Sequence, residues 1–157
     1  MVALFATVLV AGMWFGEDGS TPVRSLLYAS LVAVFAIVLV VWLTRAHRPA
    51  LRAIASSACF AAAAAGFLVG ERNEERAYNY CVEHCEEIRS GLRTYLLREG
   101  RYPSRLSQAI YRRGLCARPL HGSLLWYAAT DTSYELAFGD YLVSWRATDS
   151  DPFVAIK

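Results

Sequence analysis

Residues 1–16, 25–44 and 53–70 carry no charged side chain, and after them charged and apolar positions interleave to the end of the chain. A bilayer core of about 30 Å is crossed by about 20 helical residues at about 1.5 Å each. The second stretch has 20 residues and the third 18, so both predict membrane-spanning helices. The first has 16, enough only with little tilt, local thinning of the bilayer or support from neighbouring helices. A cleaved signal peptide is the competing reading for residues 1–16. It would need a basic leading region and a small-residue cleavage site, whereas Val2, Ala3 and Leu4 follow Met1 and the far end reads Trp14-Phe15-Gly16-Glu17. The chain thus divides into a three-helix transmembrane region (1–70) and a water-exposed domain (71–157).

Arginines orient the spans. Residues 45–52 include Arg45, Arg48 and Arg52 with His47 and no acid, while the first connection carries Glu17, Asp18 and Arg24. The positive-inside rule places 45–52 and the N-terminus in the cytoplasm and the C-terminal domain outside, in a periplasm. Trp14, Tyr28 and Trp42 stand at segment ends, as interfacial aromatics do, and Tyr28, Phe35 and Trp42 share one helix face. Thr21-Pro22 and Arg48-Pro49 read as helix starts. Arginine outnumbers lysine 15 to 1, which suggests a GC-rich bacterial genome, and with this topology the expected location is the bacterial inner, cytoplasmic membrane.

The third segment is built of small residues. Ala62, Gly66 and Gly70 recur every fourth position and make a flat stripe that another helix can approach closely. Contact with the chain's own first two helices is one reading, and a docking face for a foreign subunit is the other. No Asp, Glu, Lys, Arg or His lies within the three stretches, which disfavours a transporter, channel or intramembrane catalyst acting alone, and Ser56 and Ser57 read as helix-packing hydroxyls.

Beyond Gly70, the apolar positions Tyr78, Cys81, Cys85, Ile88, Leu92 and Tyr95 fall three and four apart, one stripe of an amphipathic helix that stops at Gly100. No breaker separates this helix from the third span, although Gly66 and Gly70 could bend the junction, so a single helix of about 75 Å from Pro49 to Glu99 is expected. Ser104 is placed to cap a short helix ending near Arg113-Gly114. Residues 124–129, 134–138 and 141–145 then predict strands, with turns at 131–133 and 139–140, and residues 153–156 a last short one. The predicted fold is a membrane α plus α+β protein, its third span continuing into a long helix packed on a small antiparallel sheet.

A membrane helix that runs into an amphipathic helix, followed by Gly100-Arg101-Tyr102-Pro103 and a short helix, resembles type IV pilins and type II secretion pseudopilins over about residues 50–146. Leu125-Trp126-Tyr127 and Tyr134-Glu135-Leu136 match the strand region of that family loosely. The corresponding start, Ala50-Leu51-Arg52-Ala53-Ile54-Ala55, has neither the family's glycine-phenylalanine cleavage site nor its early glutamate, and two further spans precede it. The resemblance therefore implies a pilin-like scaffold fixed in the membrane rather than a processed, polymerising subunit.

Cysteine and charge complete the candidates. Cys59 reads as a packing residue within the third span. Cys81, Cys85 and Cys116 lie in the domain expected outside, where disulfides persist; Cys85–Cys116 is the preferred pair and Cys81–Cys116 the alternative. Cys81, His84 and Cys85 lack the fourth ligand of a closed zinc site and the Cys-x-x-Cys-His haem motif, so neither metal nor cofactor is expected. Residues 93–118 gather Arg93, Arg98, Arg101, Arg105, Arg112, Arg113 and Arg118 against Glu99 alone, whereas residues 71–90 hold six glutamates and three arginines. That arginine group is either a solvated surface with internal ion pairs or a face for an acidic partner or anionic lipid.

Asp140, Asp149 and Asp151 fit no defined calcium loop and read as turn and cap residues. No phosphate-binding loop, nucleophile elbow or His-Glu-x-x-His motif is present, so no catalytic residue is assigned. The expectation is a non-catalytic accessory subunit of a larger bacterial membrane complex, with respiratory and photosynthetic complexes ranked first as hosts. Its partners would be other membrane subunits and lipid, with no nucleic acid and no small-molecule substrate. A pseudopilin-related part of a secretion or pilus machine is the alternative.

Overall fold

A computed structural model describes residues 2–18, 22–43, 49–110, 116–139 and 142–156. The expected cytoplasmic arginines Arg45 and Arg48, together with Arg112, Arg113 and Asp140, lie outside the described residues. The chain is a long-helix α+β protein and separates into two compact units, Met1–Glu74 and Glu75–Lys157.

The first unit contains α1 (Val2–Gly16), α2 (Pro22–Leu43) and the beginning of α3 (Pro49–Glu99). Its core is made of small side chains: Ala33 and Ala36 of α2 and Ala55, Cys59 and Ala63 of α3 pack with Val8 of α1. Many large apolar side chains point outward instead, among them Leu31 and Phe35 on α2 and Ile54, Phe60 and Leu68 on α3, while Phe67 is buried. Among the described residues one helix is long and apolar enough to cross a membrane, the part of α3 that begins at Ala53. Val2–Gly16 and Leu27–Leu39 are shorter apolar helical stretches, so the expectation of three spans rests on one helix of full length and two shorter ones.

The run from Pro49 to Glu99 is one α-helix of 51 residues, as the absence of breakers predicts. It ends where Gly100 takes a left-handed φ of 73°, a conformation free of Cβ strain only for glycine, and the Gly100 amide donates to the Leu96 carbonyl at 2.8 Å. In the second unit, the stripe of α3 supplies Cys81, Ile88 and Leu92 to a core completed by Tyr102, Cys116, Leu125, Tyr134, Leu136, Phe138 and Ala147. The other face of that core is a four-stranded antiparallel meander of β3 (Trp126–Ala129), β4 (Tyr134–Gly139), β5 (Ser144–Thr148) and β6 (Val154–Ile156). Tyr134, Leu136 and Phe138 alternate inward along β4, the period of a strand with one face buried.

Three details differ from the sequence reading. The third strand covers Ser144–Thr148 rather than 141–145, and Arg146, paired with Glu135 at 2.9 Å, belongs to it. The short helix, α4 (Leu106–Ala109), has Arg105 rather than Ser104 at its N-cap, with the Arg105 amide donating to the Gln108 side chain at 3.2 Å. A two-stranded ribbon, β1 (Ala117–Arg118) with β2 (Gly122–Ser123), precedes the sheet, and two-residue strands carry no readable period.

Candidate functional site

The stripe Ala62/Gly66/Gly70 faces α1. A Cβ on Gly66 would collide with the Leu9 carbonyl oxygen and one on Gly70 with that of Met13. The fit is reciprocal: a Cβ on Gly12 would lie 2.5 Å from the Ala63 carbonyl oxygen, and one on Gly16 would meet that of Phe67. Two glycines four residues apart on each helix thus mesh, the arrangement that lets helix backbones approach closely. Contacts advance together along both sequences, Leu9 to Gly66 and Met13 to Gly70, so α1 and α3 run parallel. Ala62 is half-buried beside the same cluster. A foreign subunit docked on Gly66 and Gly70 would have to displace α1, so the stripe is an internal seam of this unit.

Glu17, which the sequence shows only as a loop acid, closes that seam. It is fully buried beyond the last turn of α1, where its amide donates to the Met13 carbonyl at 3.0 Å. The Asn73 side-chain amide of α3 donates to the Glu17 carboxylate at 2.9 Å. A charge removed from water needs hydrogen-bonding groups around it, and Asn73 supplies one.

In the second unit the disulfide joins Cys81 to Cys116, with 5.3 Å between α-carbons, and Cys85 is a free thiol. The preference for Cys85–Cys116 is thereby corrected. Both candidates lie on the apolar stripe, but Cys81 lines up with the fully buried Ile88 and Leu92, while Cys85 sits half-exposed at the edge of the core. Burial first, then the negative charge of Glu86, pushes the Cys85 thiol above its ordinary pKa. His84 stacks on Tyr80 with ring centroids 4.0 Å apart, its Nδ1 lying 3.0 Å from the Tyr80 carbonyl oxygen. Among the described residues no three His, Cys, Asp or Glu side chains come together as a metal site.

The Gly100-Arg101-Tyr102-Pro103 step is bound to the sheet at two points. The Tyr127 hydroxyl donates to the Pro103 carbonyl at 2.7 Å, and the Tyr102 amide donates to that of Asp131 at 3.2 Å. Burial, then the neighbouring phenols of Tyr102, Tyr134 and Tyr95, pushes Tyr127 up to about 12. A second link ties α3 to β5, where the Trp145 indole N–H donates to the Tyr78 hydroxyl at 2.8 Å.

Of the arginines expected to form one group, the five described ones are spread over several surfaces. Arg98 pairs with Glu99 at 2.8 Å and covers the Tyr95 ring at 5.5 Å. Arg93 borders a polar pocket with Tyr102 and Tyr134, whereas Arg101 borders a different one with Tyr95 and Ser104. Arg105 is exposed at the start of α4, and Arg118 is half-buried in β1. Asp149 and Asp151 occupy the turn after β5, where the Asp151 amide donates to the Thr148 hydroxyl at 3.0 Å. Among the described residues, none of these contacts joins a nucleophile, a base and an orienting group. Compared with known proteins, the chain matches no protein-family model, no curated protein and no solved structure.

Proposed function

We propose that the chain is a non-catalytic accessory subunit of a larger bacterial membrane complex, anchored by α1, α2 and α3 as three spans. The observation that carries this reading is the inverted distribution of side-chain size in the first unit. Alanine, glycine and cysteine make up most of its interior, beside Val8 and Phe67, while Leu27, Leu31, Phe35, Ile54, Phe60 and Leu68 lie on its outside. In water that arrangement would leave a large apolar surface without compensation. In lipid it is favourable, because close backbone packing rather than the hydrophobic effect drives helices together.

Two further features support three spans. Successive spans alternate in direction, so the first and third must run parallel, as α1 and α3 do. Their uncharged stretches also end level with each other, where Gly16 meets Gly70. The arginines at 45–52 then favour a cytoplasmic N-terminus and a periplasmic second unit. With its glycine seam closed by α1, the unit offers other subunits and lipid its outer faces, such as Phe60 and Leu68 beside Ala29 and Ser30. The second unit would brace or cover the periplasmic side of the host, which we rank as respiratory or photosynthetic.

Gentle extraction of the native chain, size analysis and mass spectrometry of co-purifying proteins test the proposal. A fixed stoichiometric set of large membrane subunits is the expected result, and a stable, solitary monomer would overturn it. The unbroken α3 leading through Gly100 to an antiparallel meander favours the pseudopilin-related reading as the second choice. Recovery with an assembly ATPase and loss of secretion on deletion would promote it.

A further inference from the structure

A polar pocket of about 210 Å³ opens between α3 and the sheet of the second unit. It is smaller than the roughly 300–1,000 Å³ of sites for drug-sized ligands, which sets the scale of any occupant. Glu86, Arg89, Ser90 and Arg93 border it from α3, Tyr102 from the loop after that helix, and Tyr134 and Asp149 from the sheet side. Arg89 is already engaged, since it pairs with Glu86 at 3.1 Å and donates to the Tyr134 hydroxyl at 3.4 Å.

Arg93 and Asp149 have opposite charges at the same pocket, yet no ion pair joins them among the described residues. Tyr102 is 9% exposed, and its hydroxyl, bonded to no described residue, is accessible at the pocket rather than sealed in the core. The pocket therefore presents a guanidinium and a phenol hydroxyl that can donate to an anion, and a carboxylate that can accept from a cation.

We propose that this pocket binds a small zwitterion bearing a carboxylate and an ammonium group, that is, a free α-amino acid. The carboxylate meets Arg93 and the Tyr102 hydroxyl, and the ammonium meets Asp149. This departs from the expectation that the chain takes no small molecule, and it does not rest on the subunit reading.

The test is isothermal titration of the full chain in lipid nanodiscs with the standard amino acids, and with acetate and ethylamine as single-charge controls. At least one amino acid should bind saturably, with acetate and ethylamine at least about tenfold weaker, a difference of about 1.4 kcal/mol. Arg93→Gln and Asp149→Asn replace exposed charges with neutral polar groups, and each should weaken binding about tenfold or more at unchanged thermal stability. Tyr102→Phe keeps the ring in the core and should weaken it several-fold. Absence of binding by every amino acid to millimolar concentration would overturn the proposal. So would affinity unchanged in Arg93→Gln, or acetate binding as tightly as the best amino acid.

Discussion

Gly16 and Gly70 meet so closely that a Cβ on Gly70 would lie 2.8 Å from the Gly16 α-carbon, and one on Gly16 would lie 2.9 Å from that of Gly70. Both nearest obstacles are backbone, so neither side can give way by a rotamer change, and the helices must separate. Gly70→Ala should therefore destabilise the first unit by about 1–3 kcal/mol, the usual cost of overpacking. Ala61→Leu, on an exposed face of the same helix, should change stability little. Thermal unfolding of the two variants in one detergent distinguishes them, and equal melting temperatures would remove the seam from the account of this unit.

The cysteine assignment has a chemical test. Cys81–Cys116 bridges a sequence separation of 35, and removing such a link costs about 2–4 kcal/mol. Cys81→Ser and Cys116→Ser should both show that loss, while Cys85→Ser should leave the melting temperature nearly unchanged. Under non-reducing conditions the peptides containing Cys81 and Cys116 should migrate as one. Because its pKa is raised, Cys85 should alkylate slowly at neutral pH and faster as pH rises.

These outcomes also separate what the sequence made legible from what it concealed. Of the stripe from Tyr78 to Tyr95, the positions through Leu92 meet one core, so their local period identified the buried face of α3, while Tyr95 lies outside that core. The stripe left the pairing of Cys116 open, since Cys81 and Cys85 are one turn apart on it and only the tertiary core ranks their burial. Gly66 and Gly70 stand out by their spacing among small residues, but Gly12 and Gly16 sit among larger apolar side chains, and only the fold shows that they mesh with α3. Glu17 was hidden for a related reason: a charge just past an apolar run signals a boundary, whereas its burial depends on Asn73, 56 residues away. The ribbon of β1 and β2 left no signal at all. The polar pocket draws on α3, the following loop and the sheet, so no window of sequence contains it.

Trp145 and Tyr78 offer a test of how α3 is joined to the sheet. The indole N–H donates to the Tyr78 hydroxyl at 2.8 Å, while the Trp145 ring stacks against Phe138, its cross-strand partner, at 6.2 Å. Tyr78→Phe keeps the ring that packs edge-on against Phe138 and removes only the acceptor. A half-buried donor left without a partner costs about 1–3 kcal/mol, and partial access to water should hold the loss near the low end. Denaturant unfolding followed by tryptophan fluorescence is the measurement. An unchanged midpoint would mean that packing alone holds α3 to β5.

Tyr127 gives the second unit a defined alkaline limit. Its folded-state pKa of about 12 lies above the ordinary tyrosine value of about 10, so the folded state holds this proton more tightly than the unfolded chain does. The resulting stability is complete below about pH 10 and is lost as pH rises through about 12. Tyr102, raised by burial and then by Tyr134 and Asp149 against the opposing charge of Arg93, adds a loss of the same sign. Tyr127→Phe removes the ionisable group and the bond to Pro103 together. At neutral pH the variant should be about 0.5–1.5 kcal/mol less stable, the net worth of one hydrogen bond. Its stability should then fall less steeply than that of the parent above about pH 10, so the two curves converge. Parallel curves of stability against pH would show that Tyr127 does not set the alkaline limit, and Tyr102→Phe would then be the variant to follow through the same range.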